Sequence, residues 1–372
     1  MRIGLIAPPW LTVPPRSYGG TETVVDNLAR GLQRLGHDVR LFSVADSTCP
    51  VPTTWSRVSP PAVIGTSIEE AAHVLAAYEA LCDDVDVIHD HTVLGPLLGA
   101  IARPVRPPVA VTHHGACTPD NRAILAQTVR HAALIAISHD QARRADPLPV
   151  DAVIHHGVDL DAYTPGEGDG GYLLFVGRMS PDKGVDRAVR VARRARRPLV
   201  VLAKMRDPGE RDYFETVIQP LLDDDVLVEF EPAWSRRLML QQGALGLINP
   251  IAWPEPFGLV MAEALATGTP VIATPNGAAV EIIDHGRTGY LCVDEDEMVR
   301  AVARLSSLDR EACRLAACAR FSIELMARRH VTVYEQLVTD RRSHHPVLDV
   351  VRERSRGGGR REALLAVRGA AP

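Results

Sequence analysis

A repeated alternation restricts this chain more than any other feature: short apolar runs are separated by longer segments whose apolar residues recur every three or four positions. Residues 2–7 (RIGLIA) form the first run, a buried strand by composition. A Pro-rich loop ending in Ser17-Tyr18-Gly19-Gly20 follows, after which Val24, Val25, Leu28, Leu32 and Leu35 mark one face of a 3.6-residue period. Thr21 is the expected N-cap of that helix and Gly36 its C′ residue. Further strands are predicted at 38–44, 85–89, 109–112, 133–137 and 152–155, with a capping box at Ser67 and Glu70 opening another helix. Strands that alternate with helices pair in parallel through right-handed crossovers, which makes the set a doubly wound sheet.

The alternation breaks once. Residues 164–171 (TPGEGDGG) have the most linker-like composition in the interior, and past them strands are expected at 172–176, 199–203, 226–229, 244–249, 269–273 and 290–293. At 372 residues the chain is long enough for two cores, since one soluble domain takes roughly 100–200 residues. The expected architecture is therefore α/β, with two Rossmann-like doubly wound parallel-sheet domains at 1–165 and 166–322. A helix at 323–340 follows the completed second sheet. The tail 341–372 is rich in Arg and carries a Gly triplet at 357–359, so it reads as flexible, with a short helical candidate at 362–367.

A formal net charge of −5 gives no basic field for nucleic acid, and that class of partner is set aside. The six cysteines are scattered without a Cys-x-x-Cys pair, which fits a reduced, cytoplasmic chain better than a disulfide scaffold or zinc cage. No apolar run reaches the roughly 18 residues that span a bilayer, and Met1 leads straight into a strand rather than through a cleavable signal. The basic run 187–197 (RAVRVARRARR) is either a solvated helix face or a peripheral contact for an acidic partner or the inner membrane surface.

Ligands of open α/β sheets sit beyond the carboxyl ends of strands. Loops there hold Gly19-Gly20, which lets backbone amides approach a phosphate at a helix start, and Arg178 with Lys183, a pair of cations suited to a diphosphate. His113-His114-Gly115 follows another strand and can offer a hydrogen bond to a substrate hydroxyl. His89-Asp90-His91 brings two ligand types to alternate strand positions, but without a third ligand at a suitable spacing no metal site is assigned. The chain lacks Gly-x-Gly-x-x-Gly after its first strand, which argues against a nicotinamide or flavin enzyme. Glu255 and Glu263 have seven residues between them, and on a continuous helix would stand ~12 Å apart. That is beyond the ~5–10 Å of a glycoside hydrolase pair, but comparable with the distance from a sugar ring to the ribose of its nucleotide.

Several motifs together resemble the retaining GT-B glycosyltransferases of glycosyltransferase family 4, the group 1 type. They are Tyr18-Gly19-Gly20-Thr21-Glu22, Asp86-Val87-Ile88-His89, Thr112-His113-His114-Gly115, Ile154-His155-His156-Gly157-Val158-Asp159, Gly177-Arg178 with Lys183-Gly184, Glu255-Pro256-Phe257-Gly258 with Glu263, and Gly268 to Ala273 with Glu281. The resemblance spans residues 1 to about 340. It implies two domains facing a cleft, with the last helix crossing back to the first domain. The implied activity is metal-free, retaining hexosyl transfer from a nucleoside-diphosphate sugar, a co-substrate and not a cofactor, to a hydroxyl of a glycan, lipid or small molecule. By that resemblance Arg178 and Lys183 bind the diphosphate and Glu263 the ribose. Glu255 binds the transferred sugar, Phe257, Gly258 and Leu259 offer amides, Gly19 and Gly20 face the phosphates, and His114 lies near the sugar. His156 in place of a common Asn, and Asn276-Gly277-Ala278-Ala279 in place of a Gly pair, leave the base and the sugar open. Oligomeric state is not indicated.

Overall fold

The computed structural model describes residues 1–61, 67–104 and 106–343. The Ser67 half of the expected capping box and residues 344–372 of the tail, with its helical candidate at 362–367, lie outside the described residues and side chains. The first half holds β1 (Arg2–Ile6), β2 (Asp38–Ser43), β3 (Thr53–Trp55), β4 (Val87–Asp90), β5 (Val109–Thr112), β6 (Ala133–Ala136) and β7 (Ala152–Val153). They pair in parallel in the order β3-β2-β1-β4-β5-β6-β7. The second half holds β8 (Leu173–Arg178), β9 (Leu199–Lys204), β10 (Val226–Phe230), β11 (Gly246–Asn249), β12 (Val271–Ala273) and β13 (Gly289–Leu291), parallel in the order β10-β9-β8-β11-β12-β13. Central strands such as β4, β5 and β11 are buried at every position, as parallel strands covered on both faces must be.

In each sheet the strand order reverses once, between β1 and β4 and between β8 and β11. Crossovers leave to opposite sides of such a point, so the loops after these strands splay apart and open a crevice. Those four loops carry Gly19 and Gly20, the segment beginning at His91, Lys183, and Glu255.

The start of the first helix differs from the sequence expectation. Thr21 does not cap the first helix. That helix, Gly20–Arg34, starts at Gly20 with Gly19 as N-cap, and a Cβ on Gly19 would lie 2.7 Å from Leu11 Cδ1 and 2.9 Å from Pro15 Cβ, so the chain turns two residues early where only glycine fits. Glu70 accepts the amides of Val93 and Leu94 at 2.7 and 3.0 Å through Oε1, which ties its helix to a neighbouring loop. The Gly-rich linker is pinned, with Arg310 donating to the carbonyls of Gly166 (2.8 Å), Gln242 (3.2 Å) and Ala244 (3.1 Å).

The last helix, Ile323–Ser343, buries Met326, Ala327 and Tyr334 in the core of the first sheet and packs tightly on Gly20–Arg34, where a Cβ on Gly31 would stand 2.8 Å from the carbonyl oxygen of Ile323. The basic run lies on helix Val185–Arg194. Arg190 pairs with Asp186 and Glu295, Arg193 with Asp223, and Arg194 with Asp296, so three of its six arginines are answered within the domain. Among the described residues no helix is long and apolar enough to cross a membrane.

Candidate active site

Loops from both domains meet on one cavity with about 670 Å³ of empty space. Tyr18, Gly20, Thr21, His114 and His156 line it from the first domain, and Lys183, Asn249, Glu255 and residues 256–260 from the second. Two helix starts reach its walls. One is Gly20–Arg34 and the other Leu259–Ala266, and neither N-terminus carries a side-chain cap. The first-turn amides of a helix have no intrahelical acceptor, and the macrodipole places about half a positive charge there. Both ends are therefore ready for an anion. Gly258 makes the second one possible: its φ is +88°, and a Cβ there would lie 2.4 Å from Met261 Cε.

Lys183 closes a single 3₁₀ turn, Pro181–Lys183. Gly184, at φ +75°, lets that turn lie against the loop after β11, since a Cβ would stand 2.3 Å from the Pro250 carbonyl oxygen. This contact delivers Lys183 to Glu255: the two side chains form an ion pair, with the ammonium 5.1 Å from the centre of the Trp253 ring. The pair is largely shielded, with side chains 12% and 13% exposed.

Arg178 is placed differently from its loop partner. Its guanidinium donates to Asp182 at 2.9 Å and lies 3.8 Å from Glu210, on the wall of a second interdomain hollow with Lys204 and Arg206. Glu263 is also off the cavity lining. It is buried, accepts the Tyr163 hydroxyl at 2.7 Å and pairs with Arg237 at 3.0 Å. Burial works against the Arg237 charge, but Glu263 and Tyr163 outweigh it and hold the guanidinium above its usual pKa. Tyr18 senses both carboxylates: burial first, then Glu255 and Glu263, push its phenol up to about 12. Because the helix begins only at Leu259, Glu255 stands on an irregular loop ahead of it, so the ~12 Å helical spacing does not describe this pair.

His114 is neutral, with burial pushing its pKa down to about 3, and its Nε2 lies 2.9 Å from Nδ1 of His91. Its ring stacks on His156 at 5.2 Å, and His156 meets Phe257 edge-on at 5.1 Å, linking the two walls. Gly19 supplies its carbonyl to Thr23 and sits just behind Gly20. The residues of His89-Asp90-His91 are engaged elsewhere: His89 with Tyr334 and Thr112, Asp90 with Tyr78 and Thr92, His91 with His114. Among the described residues no group of three His, Cys, Asp or Glu is arranged to hold a metal ion.

Some contributors carry no sequence signal of their own. Arg237 and Tyr163 reach Glu263 from 26 and 100 residues away, and only the fold joins them. Asn249, whose buried Nδ2 has no partner, lines the cavity at the end of β11. Its place just beyond an apolar strand was the available clue.

Two parallel doubly wound domains facing across such a cavity are the GT-B architecture of glycosyltransferases. Residues 18–162 match the model described as Glycosyltransferase Family 4 and residues 164–320 the one described as Glycosyl transferases group 1. The chain belongs to this family, the group 1 glycosyltransferases of family 4. It is 29% identical to the D-inositol 3-phosphate glycosyltransferase of Mycobacterium leprae over 336 residues, covering 73% of this chain and 76% of that one. The Mycolicibacterium smegmatis enzyme of the same name is 27% identical over 413 residues, covering 93% and 92%. Among solved structures, AviGT4, a glycosyltransferase involved in avilamycin A biosynthesis, superimposes with a TM-score of 0.70 at 27% identity, covering 91% of this chain and 98% of that one. HepE of Anabaena in complex with UDP and glucose has the same fold, with a TM-score of 0.71 at 20% identity and coverage of 90% and 99%.

Proposed function

We propose that this glycosyltransferase moves a sugar from a nucleoside diphosphate to an acceptor hydroxyl with retention at the anomeric carbon and without a metal ion. The observation that carries the reading is the convergence of two uncapped helix starts and Lys183 on one cavity. As the bond from the anomeric carbon to the diphosphate oxygen breaks, negative charge gathers on the leaving group, and fixed cations and amides stabilise it. The acceptor oxygen forms its bond on the same face, and its proton passes to the departing phosphate oxygen. Lys183, the amides of Phe257, Gly258 and Leu259, and the Gly19-Gly20 turn hold the diphosphate. Arg178 joins them by turning away from Asp182 and Glu210. Glu255 holds a sugar hydroxyl, His114 lies at the sugar, and Glu263 takes the ribose hydroxyls by yielding part of its contact with Tyr163 and Arg237.

UDP-glucose is the first donor to test, given the HepE complex, and D-inositol 3-phosphate the first acceptor, given the name of the mycobacterial relatives. Nucleotide sugars of UDP, GDP and ADP are screened by thermal shift, since a tight donor raises stability by mass action. The donor that stabilises is then supplied radiolabelled with the acceptor in the presence of EDTA. A glycoside with the donor's anomeric configuration is expected. An inverted product, or loss of transfer in EDTA, would break the retaining, metal-free reading; free sugar alone would make the protein a hydrolase, and binding without turnover a scaffold.

A further inference from the structure

Five histidines run in a file from the last helix to the cavity. The ring of His330 lies 5.1 Å from that of His89, His89 lies 4.1 Å from His91, His91 reaches His114, and His114 stacks on His156. His89 is satisfied at both nitrogens, by the Tyr334 hydroxyl at 2.7 Å and Thr112 Oγ1 at 2.8 Å. His91 is not. Its Nδ1 is 2.9 Å from His114 Nε2, while its own Nε2 is sealed from solvent with no partner.

That asymmetry selects a tautomer. A neutral imidazole carries one N–H and one bare nitrogen. With its hydrogen on Nε2, His91 would strand a donor in a buried, low-dielectric setting. With its hydrogen on Nδ1, only a lone pair goes unfilled, and the N–H is used. A stranded donor is the costlier arrangement, so His91 Nδ1–H donates to His114 Nε2. His114 must then carry its own hydrogen on Nδ1. No group among the described residues pairs with that nitrogen, and unlike His91 Nε2 it is not sealed off, so its N–H is open to the cavity that His114 lines. Burial lowers the pKa of both rings, which keeps them neutral and the relay in one state.

We propose that His91 is a positioning residue that locks His114 as a hydrogen-bond donor aimed into the cavity, toward an oxygen of the sugar. This rests on the placement of His114 at the sugar given under Proposed function. His114 then recognises an accepting oxygen and offers no lone pair to the cavity, so it takes no part in proton uptake.

His91→Leu and His91→Asn have nearly the same shape, and only the second places an N–H where Nδ1–H stood. In the full-length enzyme His91→Leu is expected to lower kcat/KM by about tenfold or more, the worth of a hydrogen bond lost to a buried group, and His91→Asn to stay within about threefold of wild type. Histidine ¹⁵N spectra should show the His114 hydrogen on Nδ1 in the wild type and in His91→Asn, and a tautomer mixture in His91→Leu. Equal losses in the two variants, or a wild-type His114 protonated on Nε2, overturn the lock. Near-normal transfer by His114→Leu overturns instead the placement of His114 at the sugar, and the spectra still decide the tautomer.

Discussion

The two walls of the cavity are built from different chemistry. The first-domain wall is polar and uncharged: burial lowers the pKa of His91, His114 and His156 and keeps them neutral. The second-domain side is ionic: Lys183 against Glu255 lines the cavity, Arg237 against Glu263 is buried outside its lining, and Arg178 stands between Asp182 and Glu210 on the second hollow. A neutral wall can discriminate hydroxyl groups by direction without perturbing charge. A paired ionic wall can hand its cations to an incoming diphosphate while leaving no bare charge in the empty site. Under the proposed function the neutral rings meet the sugar and the second domain's cations meet the leaving diphosphate, with the Gly19-Gly20 turn assisting from the first domain and Glu255 reaching the sugar from the second.

The sharpest way to break this contrast is to unpair the deepest ions. Glu263→Ala leaves the Arg237 guanidinium buried with only Tyr163 beside it, and loss of one partner from a buried pair costs about 3–5 kcal/mol. Urea unfolding should show that loss, with Glu263→Gln losing less. A loss as small as that of an exposed pair, about 0–1 kcal/mol, would mean the ionic wall is not truly enclosed. Next in size is Lys183→Ala. Removing one fixed donor to developing charge lowers kcat by about 10²–10³-fold, and single-turnover transfer with the nucleotide sugar that the thermal-shift screen selects measures it. Retention of more than about a tenth of wild-type turnover would move the charge handling away from this wall.

Much of this was legible in the chain, and the residues show why. β5 reads directly because PVAVT is an unbroken apolar run, whereas β3 is a three-residue edge strand with Thr54 and Trp55 exposed and no buried pattern to betray it. Lys183 and Glu255 could each be picked out by loop position and by family resemblance. Their pairing could not, since 72 residues separate them and the contact depends on Gly184 resting against Pro250. Arg178 misleads in the opposite direction. Sequence sets it beside Lys183 on one loop, but Asp182 of the same loop at 2.9 Å and Glu210 of another crossover at 3.8 Å hold its side chain on a different hollow. Local pattern reports what a segment needs, while partner choice is settled by neighbours that only the sheet order supplies.

The smallest effect is expected where the walls are joined rather than where they act. Glu281 of the second domain accepts the amides of His139 and Asp140 at 2.9 and 2.8 Å, at the start of a first-domain helix, and His155 Nε2 at 2.8 Å. Burial raises its pKa, but the hydrogen bonds from His155 and the two amides outweigh that and hold the carboxyl below its ordinary value of 4.5. A depressed carboxylate pKa adds stability that is complete above the unfolded value and is lost as pH falls through the folded one. Glu281→Gln should therefore cost about 1.5 kcal/mol, at the low end for bonds to a charged group because the glutamine oxygen still accepts part of them. The difference from wild type in urea unfolding should be constant from neutral pH down to about pH 5 and shrink below it. A difference that instead grew with acid would assign the joint to a group protonated in the folded state, and Glu281 would then not be what ties the neutral wall to the ionic one.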